Sequence, residues 1–369
     1  MTTSTETRTS TATAMRQNEP KTPKSVIDPS KKRKNETITV FSSDPKTTTP
    51  IETFLGALTV SSFLIIWFAS ILSPVILGVA IYHEYYKLAT SLIALSIVAY
   101  LPWEIKPLQN FYDEYHTSYY DGVDIVFEGG DIPPSNETDS SNNNNNHDKH
   151  RQTFFAVHPH GAFCIGWSLL FTCPTLHRVR FCFSPTLFAS PFFRLFSRSL
   201  GKPVSASRSS VNSYLANGED VALPPGGFEE ATLTDATIDR VFVRKRYGFV
   251  RLCLKYGVAI RPVFVFGEGR LFWNVQGGWK TRLKCNRWGV PTILVWGRWF
   301  FPLLPRKGVR LLIVVGRPLI LPKVEGEPTK EEVDRWHERY IGELKRIYED
   351  FKVEGYGEEV GKSAKLEIW

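Results

Sequence analysis

A chain of 369 residues with 43% hydrophobic and 13% aromatic content can bury one large core, or a domain of about 250 residues plus appendages. Its formal net charge is +8, but the first fifty residues hold nine Lys/Arg against five Asp/Glu, so half of that excess belongs to a tail. The mildly basic remainder suits an anionic membrane surface or a phosphorylated cofactor; with no zinc-finger spacing, Walker loop or aromatic RNA platform, it gives no case for nucleic acid.

Residues 1–50 are rich in Ser, Thr, Lys and Pro and poor in large apolar side chains, which predicts a disordered cytosolic tail. Within it, Lys31-Lys32-Arg33-Lys34 matches a nuclear localisation signal, but a basic patch ahead of a membrane segment fits better. Residues 51–103 form the next unit. No charged residue occurs over 54–80 or over 88–103, and between these runs the ionisable groups are His83, Glu84 and Lys87. The first run exceeds the roughly 20 residues needed to cross a bilayer and the second is marginal, so two readings stand: a pair of spanning helices, or a hairpin re-entering one leaflet. Either returns the chain to the side on which it entered.

Residues 104–369 are expected to form the main domain, interrupted by a polar, Asn-rich insert at 131–150 that cannot pack a core. Apolar runs at 154–157, 179–183, 220–223, 258–266 and 309–315 predict strands. Segments near 188–200, 211–216 and 248–256 predict helices, and the alternation argues for an α/β fold with a mainly parallel sheet flanked by helices. A final helix opens on the capping box Thr329-x-x-Glu332 and repeats Val333, Trp336, Tyr340, Leu344, Ile347 and Phe351 at spacings of three and four, which makes one buried stripe. The aromatic stretch at 185–200 suits either a membrane interface or a core helix.

The strongest chemical signal is His158-Pro159-His160-Gly161, directly after the strand at 154–157. Two histidines at a strand exit, with Gly161 allowing close backbone approach, suit proton abstraction from a hydroxyl near neutral pH. After a later strand, Pro224-Pro225-Gly226-Gly227-Phe228-Glu229-Glu230 offers backbone N–H groups beside a carboxylate. Arg246 precedes a helix on which Arg251 and Lys255, four apart, share a face. The five cysteines, an odd number without a C-x-x-C pair, read as reduced buried thiols, and nothing adjacent activates Cys164 as a nucleophile. A metal site built on the two histidines would need further ligands, yet only His177 and His337 follow Gly161. A noncatalytic hairpin protein coating lipid droplets would account for residues 54–103 but not for the glycine-bearing motifs.

HPHG at 158–161, PPGGFEE at 224–230, RYGFVRLCLKYGVAIRPVFVFGE at 246–268 and GRPL at 316–319 together resemble the type-2 diacylglycerol acyltransferase family, which includes monoacylglycerol and wax-alcohol acyltransferases. The resemblance covers the hairpin and nearly all of 104–355. It implies an endoplasmic-reticulum membrane enzyme, also found on lipid droplets, with its catalytic domain facing the cytosol, that makes triacylglycerol from acyl-CoA and diacylglycerol. Acyl-CoA is then a substrate and no cofactor or metal is expected; the partners are these substrates and a bilayer or droplet surface, and a homo-oligomer remains open. It also implies a distant relation to glycerolipid acyltransferases carrying an HxxxxD motif, from which this chain departs: five residues beyond His158 and His160 stand Phe163 and Ile165. The carboxylate must come from elsewhere, with Glu230 the candidate and Glu229 the alternative. The expected site is therefore His158 or His160 as base, Glu230 as its partner, Gly226 and Gly227 near the oxyanion, Pro159 and Gly161 in the turn, and Arg246, Arg251 and Lys255 toward the CoA phosphates.

Overall fold

The computed structural model describes residues 37–101, 103–129, 151–286 and 292–369. The insert at 131–150 and most of the expected tail lie outside them. The tail is corrected at its C-terminal end. Thr37–Ser43 is a strand, β1, paired antiparallel with Val123–Glu128, β2, because Ile38, Val40 and Phe41 supply the apolar side chains that the preceding residues lack.

Helix α1, Pro50–Tyr82, starts on a capping box in which Thr49 and Glu52 exchange bonds, with Pro50 in the first turn, and it runs on through Pro74. A turn at Glu84, whose φ is 59°, leads into α2, Tyr86–Tyr100. At 33 residues α1 is long and apolar enough to cross a membrane. Its first turns nevertheless belong to the main core: Val60, Phe63 and Leu64 are buried, and a Cβ at Gly56 would stand 2.5 Å from the Tyr119 nitrogen. Beyond Leu64 the helix exposes Ile65, Ile71, Leu72, Val75, Ile76, Val79 and Ile81. The boundary expected at residue 103 is thus not a packing boundary.

Next come α3, Lys106–Tyr115, then β2, and beyond the undescribed insert β3, Thr153–His158, and α4, Ile165–Phe171. Strand β4, Arg180–Phe183, precedes α5, Pro185–Ala189, and α6, Pro191–Leu200. The single helix expected near 188–200 is two, because a residue before proline is driven out of helical geometry and Ser190 is extended, with φ −69° and ψ 126°. Phe193 and Phe196 of α6 pack on Phe63 of α1, which favours the core reading for that stretch. The chain continues through β5, Pro203–Ser205; α7, Arg208–Ala216; β6, Val221–Leu223; α8, Gly227–Leu233; β7, Asp239–Val241; α9, Gly248–Tyr256; and β8, Ala259–Phe266. Two short strands, β9 at Trp273–Asn274 and β10 at Val295–Trp296, pair with each other and flank α10, Trp279–Asn286. Last are β11, Leu311–Val315; α11, Lys330–Tyr356, with its Thr329/Glu332 capping box; α12, Glu358–Ser363; and β12, Leu366–Ile368, which pairs with β7.

Among the described residues the main sheet has eight strands in the order β1-β2-β11-β8-β3-β6-β4-β5. Five of its neighbouring pairs are parallel; β1·β2 and β11·β8 are antiparallel. The sheet is buried on both faces, so its strands read as continuous apolar runs. Phe155, Val157, Val263, Val265 and Ile313 face α1, α3, α4 and α6. Phe154, Ala156, Phe264 and Val314 face α7, α9 and α11, where Tyr340, Leu344, Ile347 and Phe351 form the stripe expected from their spacing. The expected α/β architecture is observed as a three-layer sandwich.

Candidate active site

Strand order assembles the site. β6, β3 and β8 are adjacent and parallel, with Ala156 opposite Leu223 and His158 opposite Phe264. Their C-terminal ends therefore reach one edge of the sheet, bringing together the turn after His158, the double-glycine turn after Leu223, and Glu268 after Phe266. Open parallel sheets form ligand crevices at this edge. β11 runs antiparallel to β8, so the GRPL segment at 316–319 is carried to the opposite edge, where Gly316 N–H bonds to Pro262 O and Leu319 bridges Ile260. That motif does not meet the histidines. A Cβ at Gly316 would stand 2.3 Å from Ile347 Cδ1, so its glycine admits α11.

His158 and Glu230 are wholly buried, and His158 Nδ1 lies 2.9 Å from Glu230 Oε1. Glu230 also accepts from His160 N–H at 2.8 Å and from Phe242 N–H at 2.9 Å. The carboxylate thus collects three donors, and with Nδ1 donating to it the His158 ring is left with its Nε2 lone pair as the acceptor whenever the imidazole is neutral. Among the described residues nothing hydrogen-bonds that Nε2. His160, half-buried, bonds its own Nδ1 to Gly161 O at 2.9 Å and, among the described residues, has no carboxylate bonded to its ring; burial lowers its pKa. The His158–Pro159 peptide is cis.

The glycines explain how the carboxylates come so near. Gly161 takes a φ of +65°, and a Cβ there would stand 2.0 Å from Glu268 Oε1. A Cβ at Gly226 would stand 2.4 Å from the Glu230 carboxyl carbon, and Gly227, which opens α8, has a φ of +57°. Glu229 points elsewhere and pairs with Arg246, which also donates to Gly226 O. The carboxylate on the histidine is thus Glu230 rather than its neighbour. Lys255 pairs with Glu327 on the surface of α9, one turn from Arg251.

Two neighbours had no role assigned from the sequence, although Glu268 closes the 246–268 segment. Glu268 accepts from the Ile165 and Gly166 amides at 3.0 and 2.7 Å, and burial pushes its carboxyl up to about 7. Its position at the end of an apolar strand was the available signal. The N–H of Phe242 on Glu230 carries no side-chain signal. Cys164, between these groups, has its thiol pushed well up by burial and by the charges of Glu268 and Glu230, which suits an inert thiol.

Residues 141–368 match the family model described as diacylglycerol acyltransferase. The chain is 31% identical over 228 residues to the "2-acylglycerol O-acyltransferase 1" of Bos taurus, covering 56% of this chain and 67% of that protein. It is 29% identical over 228 residues to the "Diacylglycerol O-acyltransferase 2" of Dictyostelium discoideum, covering 56% and 68%. Identity to the human "Acyl-CoA wax alcohol acyltransferase 2" is 29% over 241 residues, 59% of this chain and 70% of the relative. A model matching well over half of the chain, across both the histidine turn and the double-glycine turn, identifies this protein as a member of the diacylglycerol acyltransferase family.

Proposed function

We propose that this chain is an acyl-CoA-dependent O-acyltransferase that moves a fatty acyl group from acyl-CoA to diacylglycerol, forming triacylglycerol. The observation that carries the reading is the buried His158, held on Glu230 through Nδ1 with Nε2 unpaired among the described residues. A thioester is already activated, so the task is to deprotonate an alcohol, hold the two reactants together and stabilise the tetrahedral oxyanion. In a single ternary complex, Nε2 accepts the hydroxyl proton as the alcohol oxygen bonds to the acyl carbon. The carbon–sulfur bond then breaks and the CoA thiolate takes the proton back from Nε2. Glu230 orients the ring and stabilises the imidazolium, as a buried carboxylate does in catalytic triads. Backbone N–H groups around Gly226 and Gly227 serve the oxyanion, and Arg246, Arg251 and Lys255 the CoA phosphates, which compete there with Glu229 and Glu327.

Lipid substrates require a lipid surface. The outer length of α1, together with α2, is apolar and exposed, and Trp299 and Phe300 are each 84% exposed beside Arg298, Arg306 and Lys307. The base of this aromatic loop is tied to the hairpin side: Tyr119, which packs at Gly56, donates to Pro305 O and accepts from Lys307. These features support a membrane-embedded enzyme; the endoplasmic reticulum and lipid droplets are the locations that the family resemblance implies.

A rival acceptor is favoured by one comparison, since a 2-acylglycerol acyltransferase is 31% identical to this chain. Membranes from a yeast lacking lipid droplets and expressing the chain, given labelled acyl-CoA and a panel of acceptors, decide between them. The expected product is triacylglycerol, abolished by His158→Ala at unchanged protein level. Label appearing instead in diacylglycerol or wax ester reassigns the acceptor, and full turnover in both His158→Ala and His160→Ala rejects the histidine base.

A further inference from the structure

A second buried polar group in this site lacks a partner. Tyr340, from the inward stripe of α11, is 0% exposed, and among the described residues its hydroxyl makes no hydrogen bond. Its ring centroid lies 6.2 Å from that of His158, tilted by 51°, and 5.0 Å from that of Phe249 in an edge arrangement. Phe249 in turn stacks on Phe154 of β3. The tyrosine is therefore clamped by α9 and the sheet while its one polar atom is left unused.

An unpartnered buried hydroxyl is unfavourable, and a phenylalanine would fill the same space without that penalty. Two such atoms in one cluster, a nitrogen lone pair on His158 and a hydroxyl donor on Tyr340, are complementary to one chemical group. An alcohol donates its single proton and accepts through its oxygen, so it satisfies both. Burial and the nearby Glu230 charge push the phenol well up, which keeps its proton available for donation.

We propose that Tyr340 positions the acceptor, its hydroxyl donating to the oxygen of the alcohol whose proton is aimed at His158 Nε2. The inference rests on the acyl-transfer reading above and adds a contact to the acceptor, not to acyl-CoA. Because both side chains are wholly buried, the acceptor reaches them only when neighbouring side chains move aside.

The test is Tyr340→Phe in the full chain, purified in detergent and assayed with diacylglycerol and acyl-CoA varied separately. Expected are a 10- to 100-fold fall in kcat/KM for the acceptor, an unchanged KM for acyl-CoA, and an unfolding temperature equal to or above wild type. A purely structural tyrosine gives the opposite pattern, a lowered unfolding temperature with both substrates affected alike, and that result overturns the proposal. So does full kcat/KM for the acceptor. If His158→Ala alone keeps its activity, the histidine reading fails; if His158→Ala is dead and Tyr340→Phe is silent, only the tyrosine assignment falls.

Discussion

Gly161 stands against Glu268 so closely that any side chain at that position would overlap the carboxylate: a Cβ would fall 2.0 Å from Oε1. The contact joins the histidine turn to the end of β8 and, through the Ile165 and Gly166 amides, to the start of α4. Gly161→Ala should therefore displace the turn. The left-handed backbone adds about 1–2 kcal/mol of strain to the overlap. The expected result is loss of acyl transfer of more than 100-fold with a lowered unfolding temperature; an alanine variant of wild-type activity would mean that the turn is not held as described.

The two adjacent glutamates should behave differently. Glu230 receives three donors, so an amide in its place must turn its own N–H groups toward at least one of them. Glu230→Gln is expected to lower kcat roughly 100- to 10,000-fold, the range for mispositioning a general base. Glu229→Gln removes a partly exposed pair with Arg246, worth at most about 1 kcal/mol, and should leave activity within about tenfold. Equal losses in the two variants would reject the division of roles.

Glu268 gives stability a pH dependence whose sign is fixed. Its carboxyl is raised from 4.5 to about 7 by burial, so the folded chain holds that proton more tightly than the unfolded one. The contribution is fully present below the unfolded value and is lost as pH rises through about 7, a span of roughly 3 kcal/mol. Unfolding temperature should fall between pH 5 and 8. Glu268→Gln should flatten that limb while lowering stability throughout, because an amide can accept from only one of the two backbone N–H groups. A limb of unchanged slope in the variant would assign the effect to another group.

The loop at 299–301 should enter lipid when the protein is reconstituted. Brominated lipids are expected to quench tryptophan emission, and Trp299→Phe should remove more than the tenth that one of 10 tryptophans would carry if all were quenched alike. A loss of a tenth or less would leave the loop in water.

Local signals carried far in this chain. Thr49 with Glu52 is a capping box of the same kind as the one at Thr329 and Glu332, and each opens the helix its hydrophobic pattern announces. Where neighbouring residues compete, the pattern misled: Pro191 splits one apolar stretch into α5 and α6, and Thr37–Ser43, at the end of a polar tail, is a strand because Ile38, Val40 and Phe41 pack on the core as the segment pairs with β2.

The amino-acid sequence by itself determined the layered α/β class, the apolar hairpin and the residue types of the site, because periodicity, caps and glycine-bearing turns act over a few residues. Only the tertiary structure decided which of them meet. His158 and Glu230, 72 residues apart, touch because β3 and β6 are parallel neighbours that end at one edge, whereas an antiparallel β11 carries the GRPL segment to the other. Tyr340 looked like one more core residue of a helical stripe. Its ring beside the histidine depends on where α11 crosses the sheet, and that is set by packing among residues distant in the chain, not by any spacing within it.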